Sequence, residues 1–478
     1  MLFIGGEWRP ASDGRVIDVL NPATEEVVGQ VASASAADLD DVLAAAAEGF
    51  AVWRRTAPAE RAAVLDHAGR LLLDRAEAIA AVLTEEQGKP LEESLAEVRQ
   101  SAEYFSWFAG EAVRSYGRLL PTAPGRRSWV ERRPVGPVAA FTAWNFPASL
   151  PARKLAPAVA FGCSIVLCPA VEAPRTAAAL VQALDDAGVP PGVVNLITGD
   201  PPQVSEHLIN SDVIAKITLT GSVPVGQTLV GLSAKHLQSL TLELGGHAPV
   251  LIFDDLTPEQ LGRAADALVR AKFRNAGQVC ISPSRIFVQE AVYDAFVDAV
   301  VERVERLAPA GGAAATPPGA PTSPLSPLAN ARRRDAVAAM VSSSGAKIRT
   351  GGVQPDGPGF FYPPTVLTDI PPTASVLTDE PFGPILPLLP FSTLEDGLRQ
   401  ANAVPYGLAG YLFTASTERA DAAIAGLDVG MIGLNEVALA SAASPFGGVG
   451  LSGYGREGGT ESLEAYTVAT AVTTKGAP

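Results

Sequence analysis

The stretch IAKITLTGSVPVG, residues 214–226, begins as an apolar β-strand and turns directly into the start of a helix. Earlier segments repeat this alternation, with strands predicted at Val138–Trp144, Ser164–Cys168, Val193–Ile197 and Ile214–Thr218 and a helix at Thr176–Ala187. Strands that alternate with helices at this spacing predict a parallel sheet with covering helices. Gly221 and the unpaired amides at the helix start could receive a pyrophosphate, and a tight turn without a ligand is the alternative.

A second alternation of the same kind follows residue 243. Strands are predicted at Pro249–Phe253 and Ser284–Val288, and helices at Pro258–Lys272 and Tyr293–Leu307. The segment from Ala36 to about Val113 is rich in Ala, Leu, Glu and Arg with apolar residues at helical spacing, so it is predicted to be mostly helical. The predicted fold class is therefore α/β, with two α/β domains.

The composition is that of a globular protein and limits its partners. Among 478 residues, 47% are hydrophobic and 18% are charged, and the formal net charge of -15 disfavours nucleic acid and anionic membranes as partners. The three cysteines, Cys163, Cys168 and Cys280, are too scattered for a disulfide framework, and neither a signal peptide nor a membrane span is recognisable, so we expect a cytoplasmic protein. The four histidines stand far apart, and no metal site is predicted.

Two segments rich in glycine need separate interpretation. Ala308–Leu328 consists almost wholly of Ala, Pro, Gly, Thr and Ser and is predicted to be a surface loop or linker. Gly448, Gly450 and Gly453 form a literal GxGxxG, but no strand precedes them and no helix follows, so we reject the interpretation as a dinucleotide fingerprint.

Three polar residues in apolar surroundings are candidates for catalysis. Cys280 ends the segment FRNAGQVC, residues 273–280, where a glycine lets the backbone approach the thiol; a small buried cysteine is the alternative. Glu243 lies between two leucines at a strand end, which could raise its pKa toward that of a general base; a solvated glutamate is the alternative. Asn145 follows the first strand of the sheet, where its amide could donate to a developing oxyanion.

Together these segments resemble the aldehyde dehydrogenase superfamily over essentially the whole chain, from Gly6 to Thr467. The motifs that carry the resemblance are WNFP at 144–147, GSVPVG at 221–226, ELGG at 243–246, NAGQVC at 275–280, EPFGP at 380–384 and PFGG at 445–448. The resemblance implies a Rossmann-like dinucleotide-binding domain in residues 1–116 and 136–245 and an α/β catalytic domain in residues 246–435. It also implies a small β extension for oligomerisation in residues 117–135 and 455–478, in a homodimer or homotetramer.

The resemblance also implies roles for individual residues. Cys280 would be the thiolate nucleophile, Asn145 and the Cys280 amide the oxyanion hole, and Glu243 the base for thioester hydrolysis. The implied contacts to NAD or NADP are Trp144, Gly221, Ser222, Glu380, Phe382 and Cys168, with Glu380 holding the nicotinamide ribose. The implied reaction is oxidation of an aldehyde to a carboxylic acid through a thiohemiacetal and a thioester, and residues 447–459 would shape the site and the subunit contacts.

The end of the second strand departs from the family pattern. The family usually has a lysine and an acidic residue there for the adenosine ribose, whereas this chain has Cys168 at the lysine position and Val171 at the acid position, with Glu172 one place out of register. The choice between NAD and NADP therefore stays open. Arg175 could approach a 2′-phosphate, although a solvent-facing arginine in a first helical turn is the preferred interpretation.

Within the superfamily the chain is most similar to succinate-semialdehyde dehydrogenases. In those enzymes arginines that match Arg153 and Arg274 grip the distal carboxylate, and Ser441 could add a hydroxyl. The predicted substrate is a carboxylated semialdehyde such as succinic semialdehyde; because residues 435–443 are largely apolar, a longer ω-carboxy aldehyde or an uncharged one is the alternative. Two other classes stay open, namely a cofactor-independent esterase or thioesterase using Cys280 and Glu243, and a binding protein with a degenerate cofactor site.

Overall fold

The computed structural model describes residues 1–307 and 325–475 and has a mixed α/β structure. The strands are β1 Leu2–Ile4, β2 Glu7–Arg9, β3 Val16–Leu20, β4 Val27–Ala32, β5 Arg118–Leu120, β6 Arg126–Pro134, β7 Val138–Thr142, β8 Ile165–Pro169, β9 Val194–Leu196, β10 Lys216–Thr220, β11 Ser239–Glu243, β12 Ala248–Ile252, β13 Pro283–Gln289, β14 Lys347–Thr350, β15 Thr365–Thr368, β16 Ile385–Phe391, β17 Tyr406–Gly407, β18 Ala409–Phe413, β19 Met431–Leu434, β20 Val449–Gly450, β21 Gly453–Tyr454 and β22 Thr467–Lys475. The helices are α1 Ala36–Trp53, α2 Pro58–Asp74, α3 Ala76–Gln87, α4 Leu91–Ala112, α5 Ser149–Ala160, α6 Pro174–Asp186, α7 Pro201–Ile209, α8 Val223–Ser233, α9 Pro258–Phe273, α10 Tyr293–Leu307, α11 Ala331–Ser343, α12 Leu394–Ala401, α13 Thr417–Gly426 and α14 Ser462–Tyr466.

The first large sheet contains the strands predicted from the opening stretch. Its described strands run in the order β2-β1-β9-β8-β7-β10-β11-β21, and β9 through β11 are parallel to one another. Every residue of β8 and β10 is buried, as expected for a parallel sheet covered on both faces. β10 extends two residues past its predicted end because Thr220 still pairs with Glu243 of β11. The carboxyl ends of these strands therefore meet along one edge, where open α/β sheets bind ligands.

The second large sheet contains the second predicted alternation. Its described strands run in the order β14-β15-β16-β13-β12-β18-β19, and β15 through β19 are mutually parallel within it. Helices α9 and α10 cover it with fully buried Leu268, Phe296 and Val300. The predicted α/β fold class is confirmed by both sheets.

The segment predicted to be helical forms α1 to α4. Ser35 and Asp38 cap α1 reciprocally, since each side chain accepts a hydrogen bond from the backbone amide of the other. Helices α2 and α4 bury Leu65, Phe105 and Phe108 completely in the core that covers one face of the first sheet. Even the 22-residue α4 is too polar to be a membrane span, and no other helix within residues 1–307 and 325–475 has the length and hydropathy for one.

A third, antiparallel sheet joins distant parts of the chain in the order β22-β6-β5. β6 and β22 pair over nine residues, from Thr467 opposite Pro134 to Lys475 opposite Arg126. Only the first residue of β22 is buried, so the outer part of this sheet faces outward from the body of the protein.

The segment predicted as a surface loop ends differently from the prediction. Residues 308–324 of that segment lie outside the described residues, but Ser326, Pro327 and Leu328 are buried. The Leu328 amide donates to the Phe360 carbonyl at 2.9 Å, and its side chain packs with Val337. The prediction of a surface loop through residue 328 is therefore wrong at its end, because a composition rich in small residues does not reveal that Leu328 packs against the following helix, α11.

Candidate active site

A cavity of about 490 Å³ is lined by residues from both large sheets. The predicted residues that line it are Asn145 and Trp144 after β7, Gly221 and Ser222 after β10, Glu243 at the end of β11, Cys280 before β13, Glu380 and Phe382 before β16, and the two arginines Arg153 and Arg274. The structure thus brings together the catalytic candidates, most of the cofactor candidates and both arginines. Asn145, Gly221 and Glu243 meet here because the parallel strands of the first sheet present their carboxyl ends at one edge. The segments before β13 and β16 of the second sheet bring Cys280 and Glu380 to the same cavity.

Two predicted site residues do not line this cavity. Cys168 is buried at the end of β8, and its Sγ lies 4.0 Å from the Val166 carbonyl oxygen. Ser441 is exposed, and its hydroxyl is 2.8 Å from that of Ser444. A third residue, Arg175, donates to Glu85 at 2.6 Å and to the Val28 carbonyl, so the suggestion that it approaches a 2′-phosphate is not supported.

Cys280 is held in place by an unusual run of left-handed backbone. Asn275, Ala276 and Gly277 have φ values of 48°, 52° and 73°, and a Cβ on Gly277 would lie 2.3 Å from the Gly383 carbonyl oxygen. Such backbone costs about 1–3 kcal/mol per non-glycine residue unless its surroundings compensate. Buried Asn275 compensates with three hydrogen bonds, accepting from Gln87 at 2.8 Å, donating to the Asn145 carbonyl at 3.0 Å and donating its amide N–H to Glu93 at 3.1 Å.

Asn145 is fixed against the same segment. Its Nδ2 donates to the Gln278 carbonyl at 2.9 Å, and its own carbonyl accepts from Lys89 Nζ at 2.9 Å. Lys89 in turn pairs with the fully buried Glu97 at 2.6 Å. An amide held rigidly beside the cysteine segment is the kind of preorganised donor that stabilises an oxyanion without reorganisation during the reaction.

Glu243 is a buried carboxyl without a hydrogen-bond partner on either oxygen among the described residues. Burial raises its pKa well above the usual value, the nearby Glu457 raises it further, and Lys154 opposes the rise. Lys154 is itself occupied, because its Nζ pairs with Glu457 and donates to the Thr220 hydroxyl at 2.8 Å. Gly447 makes room for the carboxyl, since a Cβ there would lie 2.7 Å from Glu243 Oε1. A carboxyl with a raised pKa can take a proton from water near neutral pH.

Cys280 differs from the other two cysteines in access. Cys163 and Cys168 are buried in the core of the first sheet, whereas Cys280 is half-buried and faces the cavity. Burial raises the pKa of the Cys280 thiol to about 12, and the Arg153 guanidinium opposes this rise. The thiol is therefore protonated at neutral pH in the free protein, and its attack requires an acceptor for the proton.

The other half of the cavity has the features of a dinucleotide site. Ser222 is the N-cap of α8, but its side chain caps no amide. Glu380 lies close to the backbone of Gly245, since a Cβ there would lie 2.5 Å from Glu380 Oε2. Glu380 accepts from the Gly246 amide at 3.1 Å, and burial raises its pKa to about 7. The rings of Trp144 and Phe382 pack edge to face with their centres 5.6 Å apart. Three features therefore fit NAD(P): the uncapped start of a helix, a glycine that lets Glu380 come close to the backbone, and a carboxyl that can accept hydrogen bonds from a ribose.

Sequence reasoning missed several lining residues. Asn330, Arg332 and Arg333 at the start of α11 line the cavity, and so does Gln100 of α4. Three consecutive arginines at 332–334 were a visible signal, but nothing local to them indicates that two face a cleft and the third does not. By contrast, the GxGxxG has no strand-to-helix context in the structure, because Gly450 and Gly453 lie in the short strands β20 and β21 and Gly448 just precedes β20.

Comparison with known proteins identifies the class. The sequence profile described as "Aldehyde dehydrogenase family" matches residues 8–472. The chain therefore belongs to the aldehyde dehydrogenase family, and the prediction of an NAD(P)-dependent aldehyde dehydrogenase is confirmed.

Individual relatives refine this comparison. A 4-(hydroxymethyl)benzenesulfonate dehydrogenase of Comamonas testosteroni is 45% identical over 469 residues, which are 97% of this chain and 96% of that protein. A succinate-semialdehyde dehydrogenase of Paenarthrobacter nicotinovorans is 40% identical over 447 residues, or 92% of this chain and 97% of that protein. The structure of betaine aldehyde dehydrogenase from Staphylococcus aureus in complex with NAD+ matches with a TM-score of 0.94 at 30% identity, covering 100% of this chain and 95% of that one. The predicted similarity to succinate-semialdehyde dehydrogenases is confirmed.

Proposed function

We propose that this aldehyde dehydrogenase oxidises aldehydes whose far end carries an anionic group, a carboxylate or a sulfonate. Arg153 carries the proposal, since it is only 6% exposed and lines the cavity, yet no carboxylate among the described residues forms an ion pair with it. Its Nε donates to the Tyr104 hydroxyl at 2.8 Å, and its guanidinium lies 4.0 Å from the centre of the Phe446 ring. Burial works against the charge of Arg153, and Tyr104 and Glu457 nevertheless keep its pKa raised, so the guanidinium stays charged. Because no carboxylate pairs with it directly among the described residues, a substrate anion can take that place.

The rest of the lining supports a range of carbon skeletons. Arg274 lies 5.0 Å from the centre of the Phe146 ring at the exposed side of the cavity. Leu150, Val279 and Ile281 make much of the remaining lining apolar. Such a lining suits both a short semialdehyde and an aromatic ring with a distal anion. The names of two relatives, a succinate-semialdehyde dehydrogenase and a 4-(hydroxymethyl)benzenesulfonate dehydrogenase, fit the same range.

The chain's residues support a two-stage reaction on Cys280. The thiol sulfur forms a bond to the aldehyde carbon while its proton passes to a solvent water in the cavity and the carbonyl electron pair moves onto oxygen. The resulting thiohemiacetal oxyanion accepts from the Asn145 amide and the Cys280 N–H. The dinucleotide, when bound, supplies the hydride acceptor for the oxidation. The thioester is then attacked by water, whose proton passes to the Glu243 carboxylate as the carbon–sulfur bond breaks. Buried Glu243 suits this step because its raised pKa makes it a stronger base than an exposed carboxylate.

The cofactor is proposed to be NAD or NADP, held by this chain's own groups at three places. The uncapped start of α8 at Ser222 suits the pyrophosphate, whereas the Gly221 amide already donates to the Glu243 carbonyl at 3.0 Å. Glu380 suits the nicotinamide ribose. Trp144 and Phe382 add an aromatic wall to the same cavity. The usual lysine and acid for the adenosine ribose are absent, so that end needs other contacts.

The test is a panel of aldehydes in matched pairs. Succinic semialdehyde is compared with butanal, and 4-formylbenzenesulfonate with benzaldehyde, while the absorbance of the reduced cofactor is followed with each dinucleotide. We expect turnover with a clear preference for the anionic member of each pair, lost in Cys280→Ala and kept in Cys163→Ala and Cys168→Ala. Ester hydrolysis without cofactor and without aldehyde oxidation would instead identify a hydrolase, and binding without either activity would identify a binding protein.

We also propose that the third sheet joins subunits in a homodimer or homotetramer. Leu119 is 86% exposed on β5 and Val468 is 49% exposed on β22, so each of the two edge strands of this sheet has an uncovered apolar side chain in the single chain. An exposed strand edge with apolar side chains favours pairing with another chain. Sedimentation velocity of the protein and of Leu119→Glu is the test, with dissociation expected in the variant and an unchanged mass contradicting the proposal.

A further inference from the structure

A buried ion pair, Lys89 with Glu97, lies behind the part of the cavity wall that contains Asn145. Lys89 is 1% exposed, Glu97 is fully buried, and neither of them lines the cavity, so neither can touch a substrate there. Lys89 Nζ donates to Glu97 Oε2 at 2.6 Å and to the Asn145 carbonyl at 2.9 Å, and it lies 4.2 Å from the centre of the Phe146 ring. The ammonium group therefore joins a buried carboxylate to the backbone of the proposed oxyanion donor.

The ion pair holds both ends of residues 145–149, which follow β7 and include the first residue of α5. At the first end, Lys89 donates to the backbone carbonyl of residue 145. At the other end, Glu97 Oε1 accepts from the backbone amides of Ala148 at 2.8 Å and Ser149 at 3.1 Å. Because Glu97 belongs to α4, the pair fixes the path of this segment relative to that helix.

Asn145 has two further hydrogen bonds in the part of the chain that the structure describes, and both are to the segment before Cys280. Asn275 Nδ2 donates to the Asn145 carbonyl at 3.0 Å, and Asn145 Nδ2 donates to the Gln278 carbonyl at 2.9 Å. The bond to Gln278 determines the orientation of the amide, since the opposite orientation would bring two oxygens together. One hydrogen of Nδ2 is then left for a substrate oxyanion. Lys89 is thus the hydrogen-bond partner that holds Asn145 independently of the cysteine segment.

We propose that Lys89 is a positioning residue for the oxyanion hole, and that Glu97 positions Lys89. A buried ion pair gives little net stability, because desolvation of the two charges offsets their attraction. What this pair supplies is a fixed direction for the Asn145 side chain, and a displacement of about 1 Å at a catalytic group can lower the rate about a hundredfold. The inference deepens the proposed function and rests on it, since it assumes that an oxyanion forms beside Asn145.

The experiment measures the rate of the first turnover by stopped-flow absorbance of the reduced cofactor, with the aldehyde and dinucleotide that the unaltered protein uses best. Lys89→Met is combined with Glu97→Gln, so that no unpaired charge stays buried and the glutamine still accepts from the two amides. We expect the rate to fall about tenfold, which is part of the hundredfold or more that loss of an oxyanion donor costs. The dissociation constant of the dinucleotide should stay within about twofold, because neither side chain lines the cavity.

Lys216→Met is the matched control. Lys216 is also fully buried and does not line the cavity, and its Nζ donates to the Thr241 hydroxyl at 2.7 Å instead of to Asn145. We expect its first-turnover rate to stay within about twofold of that of the unaltered protein. A loss as large as in the Lys89 variant would mean that removing any buried lysine slows the reaction, and it would overturn the inference.

A double-mutant cycle with Asn145→Ala separates positioning from a general loss of structure. Alanine keeps the backbone carbonyl that Lys89 contacts and removes only the side-chain donor. If Lys89 acts through that donor, the changes at Lys89 and Glu97 should alter the rate of Asn145→Ala by less than about twofold. A further loss of about tenfold in that background, or no loss when Asn145 is present, would overturn the inference.

Glu97→Gln alone is a second, milder variant, because Lys89 keeps its bond to the Asn145 carbonyl and loses only its counter-ion. We expect a loss of about threefold to fivefold that is absent when Asn145→Ala is also present, and an equal loss in both backgrounds would contradict the proposed role. Circular dichroism and dinucleotide titration establish that each variant is folded. Failure of the unaltered protein to reduce either dinucleotide with any aldehyde of the panel would overturn the proposed function itself, and the inference with it.

Discussion

Replacement of Arg153 by leucine tests the distal-anion site most directly. The guanidinium of Arg153 is buried, is oriented by the Tyr104 hydroxyl at 2.8 Å and has no ion-pair partner among the described residues. Arg153→Leu replaces the guanidinium with a shorter apolar side chain and so removes the charge. Because leucine cannot bind an anion, only substrates with an anionic far end lose a contact through the missing charge.

The size of the effect follows from the geometry. A bidentate, charge-assisted pair in a buried site contributes about 3 kcal/mol, which corresponds to about a hundredfold in kcat/KM. Arg153 also opposes the rise in the pKa of Cys280, so its loss lowers the reactivity of the thiol toward every aldehyde. The ratio of kcat/KM between an anionic aldehyde and its uncharged partner cancels this common loss, and we expect that ratio to fall about a hundredfold.

The assay is steady-state turnover of succinic semialdehyde against butanal in both proteins. Tyr104→Phe is the graded control, since it keeps the charge of Arg153 and removes only the hydroxyl that orients it. The loss of this orienting hydrogen bond should lower the ratio less than the loss of the charge, by about threefold to tenfold. A ratio that stays the same in Arg153→Leu would refute the reasoning, because it would show that Arg153 acts on the thiol alone. A fall of equal size in Arg274→Leu would extend the anion site to both arginines.

Three further predictions concern the base and the cofactor. Glu243→Gln should transfer one equivalent of hydride in a burst and then release acid slowly, because only hydrolysis of the thioester needs the base; a missing burst would give Glu243 an earlier role. In Glu457→Gln, the pH at which the rate of carboxylic acid release starts to rise should move to a lower value, since Glu457 raises the pKa of Glu243 and the base works only when deprotonated. An unchanged pH profile would show that Glu457 does not affect Glu243. Cys168→Lys combined with Val171→Glu should strengthen NAD binding about tenfold or more in calorimetric titration, as expected for restored hydrogen bonds to charged groups, and an unchanged affinity would show that other residues hold the ribose.

The alternation of strands and helices and the placement of Cys280 could be predicted from the sequence because both depend on local signals. A parallel strand buried on both faces is a short apolar run, and a helix-start glycine such as Gly221 is a turn signal. The segment before Cys280 has a glycine at 277 where the structure has a φ of 73° and a Cβ would meet a carbonyl oxygen, so the residue type itself reports the conformation. These signals lie within a few residues of the groups they describe.

The tertiary structure alone decided which charges are free and which are occupied. Lys154 and Glu457 are about 300 positions apart, yet they pair beside Glu243, whose pKa is raised by burial first, raised further by Glu457 and lowered by Lys154. Arg175 was a candidate for the cofactor until its pairing with Glu85 was seen, and Lys89 was not a candidate for the site until its contact with the Asn145 carbonyl was seen. The physical reason is that the local sequence fixes the charge of a side chain, whereas its partners and its burial depend on elements that meet only when the chain has folded.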